Sequence, residues 1–114
     1  MNFEFIYKIC LKSEWLIAKK KKKFTGTKKD LEDRFIHFSD KVQIFGTLKK
    51  YFFKQKDLVL LKVEALELDN LVYEQSSDGN MFPHLYSVLD TKYVKNVYDI
   101  ILNKDGSHTL PPNF

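Results

Sequence analysis

The apolar run from Phe3 to Leu11 is interrupted only by Glu4 and Lys8 and is rich in Phe, Tyr and Ile, which predicts a strand. Alternation places Phe3, Phe5, Tyr7 and Ile9 on one face and Glu4, Ile6, Lys8 and Cys10 on the other. Ser13 is an N-cap residue with Glu14 behind it, so a short helix is expected from Glu14 to about Lys22. Its apolar stripe would be Trp15, Leu16, Ala18 and Lys19, and Lys19 to Lys23 would close it at the end the helix dipole favours. Phe24 to Asp33 reads as a loop, with room for one turn of helix in the charged stretch Lys28 to Arg34. Phe35 to Ser39 reads as a short strand, with Ile36 and Phe38 on one face and Phe35, His37 and Ser39 on the other. Ser39 or Asp40 would cap a helix running to about Phe53, with Val42, Phe45, Leu48, Lys49 and Phe52 as its buried stripe. Gly46 inside that helix costs about 1 kcal/mol of propensity, which suggests close packing on a sheet.

The second half is strand-rich. Leu58 to Val63, apolar but for Lys62, reads as a central strand covered on both faces. Leu71 to Glu74 is another strand, and Gln75 to Asn80 is a polar loop suited to the lip of a site. Phe82-Pro83-His84-Leu85-Tyr86 puts Phe82, His84 and Tyr86 on one face if extended. Pro83 lacks a donor and argues against a central, fully paired position. Asp90 or Thr91 caps a single turn through Tyr93, and Val94 to Leu102 is the last long strand. Lys104-Asp105-Gly106 signals a hairpin and His108 to Leu110 its return. The expected fold is a single α+β domain over residues 1–114, antiparallel-rich, with two helices in its N-terminal half. Its core would span about 3–102, followed by a hairpin or tail over 103–114.

Composition narrows the class. A chain of 114 residues with 44% hydrophobic and 15% aromatic content is neither disordered nor too small for a core. No apolar run approaches the ~18 residues of a membrane span. The start has no basic region of a signal peptide, so a cytoplasmic protein without membrane contact is expected. One cysteine, Cys10, excludes an internal disulfide and any paired-cysteine metal site, and its place in an apolar strand suggests a buried small side chain. The net charge of +4 is uneven. Lysines crowd residues 1–29 against only Glu4 and Glu14, while the remainder is acidic. Arg34 is the only arginine, which weakens sequence-specific nucleic-acid reading. The Lys19–Lys23 run is a solvated face or a weak attractor for RNA or another anion.

The candidate chemistry lies in two histidines, each with a hydroxyl two residues on: His37 with Ser39 and His84 with Tyr86. Shared faces would aim all four at one cleft. A neutral imidazole donates and accepts together and suits a ribose hydroxyl, and Tyr86 can stack on a flat ring. The same histidines could instead only tie strands together. Lys8 either snorkels to the rim or lines a pocket for an anionic group. Ser39 could pair with His84 as a nucleophile or simply cap the following helix. Glu74 could stabilise an oxocarbenium ion or be a strand-end charge in water. His108 reads as solvated. No histidine spacing supports a metal site.

Ile6-Tyr7-Lys8-Ile9, Trp15, Phe35-Ile36-His37-Phe38-Ser39, Gly46-Thr47, Asp57-Leu58-Val59-Leu60-Leu61, Glu74 and Phe82-Pro83-His84-Leu85-Tyr86 occur in that order. This resembles the small bacterial domain-of-unknown-function family 952 over roughly residues 5 to 100. The resemblance implies an ADP-ribosyltransferase-like fold, a split and curved β structure around a nicotinamide dinucleotide cleft. The strand with Tyr7 and Lys8 would supply the first cleft residue, where many relatives have histidine. Lysine cannot accept a hydrogen bond as that histidine does. The expected cleft is Tyr7, Lys8, His37, Ser39, His84 and Tyr86, with His37, His84 and Glu74 as catalytic candidates. Its ligand would be NAD, ADP-ribose, or a phosphorylated nucleotide or RNA end, whether turned over or only bound. The alternative is a non-catalytic nucleotide-, RNA- or protein-binding module.

Overall fold

A computed structural model describes residues 3–114. In chain order they form β1 (Phe5–Leu11), α1 (Lys12–Lys21), β2 (Lys23–Phe24), α2 (Lys28–Asp33), β3 (Ile36–His37), α3 (Ile44–Tyr51), β4 (Leu58–Glu64), β5 (Leu71–Gln75), β6 (Met81–Leu85), β7 (Leu89–Asp90), a 3-10 turn at Thr91–Tyr93, β8 (Val94–Leu102) and β9 (His108–Thr109). Met1 and Asn2, part of the start that reads as free of a signal peptide, lie outside the described residues.

The frame is a sheet in the order β1-β4-β8-β9, all antiparallel. The expected alternation in β1 holds. Ile6 and Cys10 enter one core with Trp15, Phe24, Ile36 and Val63, while Tyr7 and Ile9 enter a second with Ile44, Leu48, Leu60 and Ile100. The apolar run Leu58 to Leu61 of β4 follows from its place between β1 and β8 with a core on each face. A second sheet, β3-β6-β5, lies beside the first. The two join where Ser39 clips onto the free edge of β1: Tyr7 N donates to Ser39 O and Ser39 N to Tyr7 O, both at 2.8 Å. The β-structure is therefore curled and split, a half-barrel with α1, α2 and α3 from the first half of the chain, and the fold is α+β.

Several local expectations are corrected. Ser13 does not cap α1; Leu11 does, with Glu14 Oε1 accepting from Leu11 N at 2.8 Å. The chain turns from strand into helix without a spacer, because Lys12 N is already bonded to Asp57 O at 2.7 Å. Of the expected stripe on α1 only Trp15 and Ala18 are buried. The stretch Phe24 to Asp33 is a loop only over residues 25–27: Phe24 pairs with Leu89, and the turn of helix expected over Lys28 to Arg34 is α2, which Thr27 and Asp30 open with a reciprocal capping box. Neither Ser39 nor Asp40 caps α3. Asp40 and Gln43 bond each other's backbone in a separate turn, so the helix begins at Ile44. That late start shifts the phase of its buried face to Ile44 and Leu48, leaving Phe45 half-exposed and Val42 91% exposed. Pro83 lies in a central strand, but its position is not fully paired. β3 is short, and the position opposite Pro83 is Phe38, where its ladder ends: Phe38 N donates to Pro83 O at 3.0 Å, and no donor is needed in return. His108 is only 9% exposed, with Nε2 at 2.7 Å from Gln55 O, because the tail folds back against the loop after α3.

Gly46 is not a close-packing glycine, since a Cβ there would meet nothing within 4 Å. Its helical cost is therefore uncompensated by packing. Gly46→Ala should raise unfolding stability by about 0.5–1 kcal/mol in urea denaturation at unchanged m value.

Candidate functional site

A cavity of about 450 Å³ opens between the edge of β1, the β3 and β6 strands, α3 and the loop after β5. Tyr7, Lys8, His37, Ser39 and His84, five of the six residues expected to line a cleft, line it. Ser76, Ser77, Asp78 and Asn80 form its lip, as the polar loop suggests. Tyr86 and Glu74 stand outside the lining, bonded to each other at 2.6 Å.

Lys8 neither snorkels nor offers a free cation. It is 4% exposed, and Nζ lies 2.7 Å and 2.9 Å from the two oxygens of Asp30, itself 2% exposed. Asp30 is held from every side. Oδ2 also accepts from Thr27 N at 2.8 Å, and Oδ1 accepts from His37 N at 3.1 Å and from His37 Nδ1 at 2.6 Å. Gly26, at φ +118°, lets the chain pass close enough for this; a Cβ there would come within 2.8 Å of Asp30 Cβ. Burial alone would push the Asp30 carboxyl up. The hydrogen bond from His37, the charge and bond of Lys8 and the Thr27 N–H outweigh it and hold the group well below the usual carboxylate range. Burial lowers the Lys8 ammonium, with Asp30 opposing.

His37 is occupied at both ends, Nδ1 by Asp30 and Nε2 by Asp33 Oδ2 at 2.9 Å. His84, its partner across the β3–β6 ladder, differs. Its Nδ1 lies 2.8 Å from Glu74 Oε1, and no protein atom among the described residues bonds its Nε2. Burial lowers its pKa, with Glu74 pulling the other way. Hydrogen bonds from Tyr86 and then His84 lower Glu74, and the same bond raises Tyr86. Phe35 stacks on His84 at 4.1 Å and 30°, and packs against His37 and Tyr86 at 4.5 Å and 5.3 Å.

Ser39 makes no bond to His84; its Oγ sits 3.1 Å from Thr47 Oγ1, so the nucleophilic pairing is absent as well as the cap. Cys10 is buried, and burial pushes its thiol up to about 12, which makes it inert. Asp30, Asp33, Phe35 and Thr47 escaped the reading from sequence. A Thr-x-x-Asp capping signal at Thr27–Asp30 was available, and a lysine in mid-strand calls for a buried anion.

The arrangement defines an α+β domain with a histidine-lined, polar-floored cleft. A family model described as a protein of unknown function, DUF952, matches residues 9–97, and the chain belongs to that family. Protein CC0527 from Caulobacter crescentus is similar in structure. Its crystal structure shares 42% identity at a TM-score of 0.87, covering 92% of this chain and 93% of that one. The crystal structure of a double mutant of CC0527 gives the same values. Its solution NMR structure shares 41% identity at a TM-score of 0.81, covering 96% and 93%. No curated protein matches the sequence. Among the described residues no helix is long and apolar enough to cross a membrane.

The Lys8–Asp30 contact yields a double-mutant cycle. Asp30→Asn leaves a buried ammonium without its anion and should cost about 3–5 kcal/mol. Lys8→Met in that background should recover part of the loss, with a coupling of about 1–3 kcal/mol by urea denaturation. The sign with pH also follows. A carboxyl whose folded pKa lies below its ordinary 3.8 stabilises the fold fully above that value, and the contribution is lost as pH falls toward the folded pKa. Below about pH 4 the wild type should therefore lose stability more steeply than Asp30→Asn.

Proposed function

We propose that the cleft binds a ribose-bearing nucleotide of the NAD or ADP-ribose class. One observation carries this reading: a cavity of about 450 Å³ brings an unpartnered histidine nitrogen, the Ser39 and Thr47 hydroxyls and the Phe82 ring to one place. Such a set suits a sugar with several hydroxyls next to a flat ring. The reading extends the resemblance to an ADP-ribosyltransferase-like cleft. It reassigns two roles. Lys8 is neutralised by Asp30 and Lys29 is paired with Asp33 at 3.3 Å, so attraction of a phosphate falls to the exposed Lys50. His37, with both nitrogens bonded to carboxylates, shapes the wall and presents Asp33 rather than a free nitrogen. The exposed Lys19–Lys23 run, at the end of α1 and in β2, gives an RNA strand a separate electrostatic hold.

An NMR titration of ring and backbone signals with ADP-ribose tests the cleft. Saturable shifts at His84, Ser39 and Thr47 are expected. Gly46→Trp, whose side chain would grow from an open position into the cavity, should weaken binding at least about tenfold, or ~1.4 kcal/mol. Flat signals up to about 1 mM ligand, the level of a ~4 kcal/mol interaction, would sink the nucleotide reading. Short single-stranded RNA that shifts only Lys19–Lys23 would place nucleic acid on the patch and not in the cleft.

A further inference from the structure

We propose that His84 is the general base of the cleft, fixed in its tautomer by Glu74, and that it takes a proton from a water attacking the bound ligand. The inference rests on the nucleotide reading above. Its support is geometric. Glu74 Oε1 lies 2.8 Å from His84 Nδ1, and an ionised carboxylate can only accept, so the proton of that bond sits on Nδ1. In the neutral ring the lone pair is then on Nε2. Every buried side-chain nitrogen or oxygen among the described residues has a partner, so the unpartnered Nε2 is open, on a residue that lines the cavity. Phe35 stacked at 4.1 Å and 30° fixes the plane of the ring. Tyr86 OH, donating to the same Glu74 oxygen at 2.6 Å, fixes the carboxylate.

This changes the role of Glu74. It does not line the cavity, so it cannot meet an oxocarbenium ion; it is a positioning residue that acts through His84. With a nicotinamide dinucleotide the step balances as follows. The water oxygen bonds to ribose C1′ as the C1′–nitrogen bond breaks, and that electron pair stays on the departing nicotinamide nitrogen. The water proton passes to Nε2, and ADP-ribose is the other product. The remaining ionisable groups around His84 are Tyr86 just past the end of its own strand, His37 from β3 and Asp30 and Asp33 from α2.

Three measurements on the full chain decide it. Imidazole nitrogen spectra of the free protein should show His84 protonated at Nδ1; an Nε2–H tautomer overturns the proposal whatever the ligand. Nicotinamide release from NAD should fall on the order of 100-fold in His84→Gln, which can still bond a hydroxyl but cannot take its proton. Glu74→Gln removes a charge that favours the imidazolium, so the acid limb of the pH–rate profile should move to lower pH. A uniform loss at every pH would make Glu74 merely structural and overturn its assignment. ADP-ribose binding without nicotinamide release in the wild type overturns the base and leaves the nucleotide reading standing. No binding at all removes both.

Discussion

A lysine in the middle of a buried strand is tenable only with an anion at hand, because an isolated charge moved out of water costs several kcal/mol even after relaxation. Lys8 meets that condition through Asp30, which approaches from 22 residues further along the chain. The requirement runs outward from there. Asp30 reaches Lys8 because it is the third residue of α2, and α2 starts where it does because Thr27 and Asp30 cap each other. The same carboxylate takes the backbone and ring of His37, so one ion pair sets the start of a helix, the edge of β1 and the orientation of a cleft histidine. Gly26 belongs to the same unit, since a side chain there would collide with Asp30.

The cleft follows from the way the two sheets meet. Ser39 clips onto β1 at Tyr7, and beyond that contact the chain turns at Asp40–Gln43 before α3 begins. The gap between the clip, the helix and the lip loop is the cavity. Its floor is rigid, because Tyr7 and Ser39 are buried and doubly bonded through the backbone. Its lip is the exposed Ser76–Asn80 turn, held largely by its own Asp78 and Ser76. Rigid floor and adaptable lip suit a ligand that is fixed at one end and enclosed at the other.

The strands and the face of each were legible in the sequence where a strand's pattern is set by its own two sides. β1 alternates because its faces enter different cores, and β4 is apolar at successive positions from Leu58 to Leu61 because both sides are covered. What could not be read locally was set by distant partners. The fate of Lys8 depended on a carboxylate in a segment that looks like a loop. The phase of α3 depended on an Asp40–Gln43 turn that consumed the first four positions assigned to the helix. Pro83 is not fully paired, as its missing donor requires, yet it stands in a central strand because the neighbouring ladder ends at that position. His108 looked solvated because nothing in its polar neighbourhood reveals Gln55, which lies 53 residues earlier.

The two cleft histidines show how little a shared sequence context decides. Each sits on a short strand between apolar neighbours, and they face each other in register at a ring separation of 5.5 Å. Yet His37 is closed at both nitrogens by Asp30 and Asp33, both from α2. His84 is closed at one nitrogen by Glu74 and covered on its face by Phe35, so its other nitrogen remains for solvent or ligand. The difference lies in which element stands beside each ring: a helix with two carboxylates one turn apart for His37, a strand with a single carboxylate for His84. With Lys8 committed to Asp30 and His37 closed at both nitrogens, Nε2 of His84 is the cleft histidine nitrogen left open among the described residues, and proton chemistry in the cavity that uses a histidine would pass through that ring.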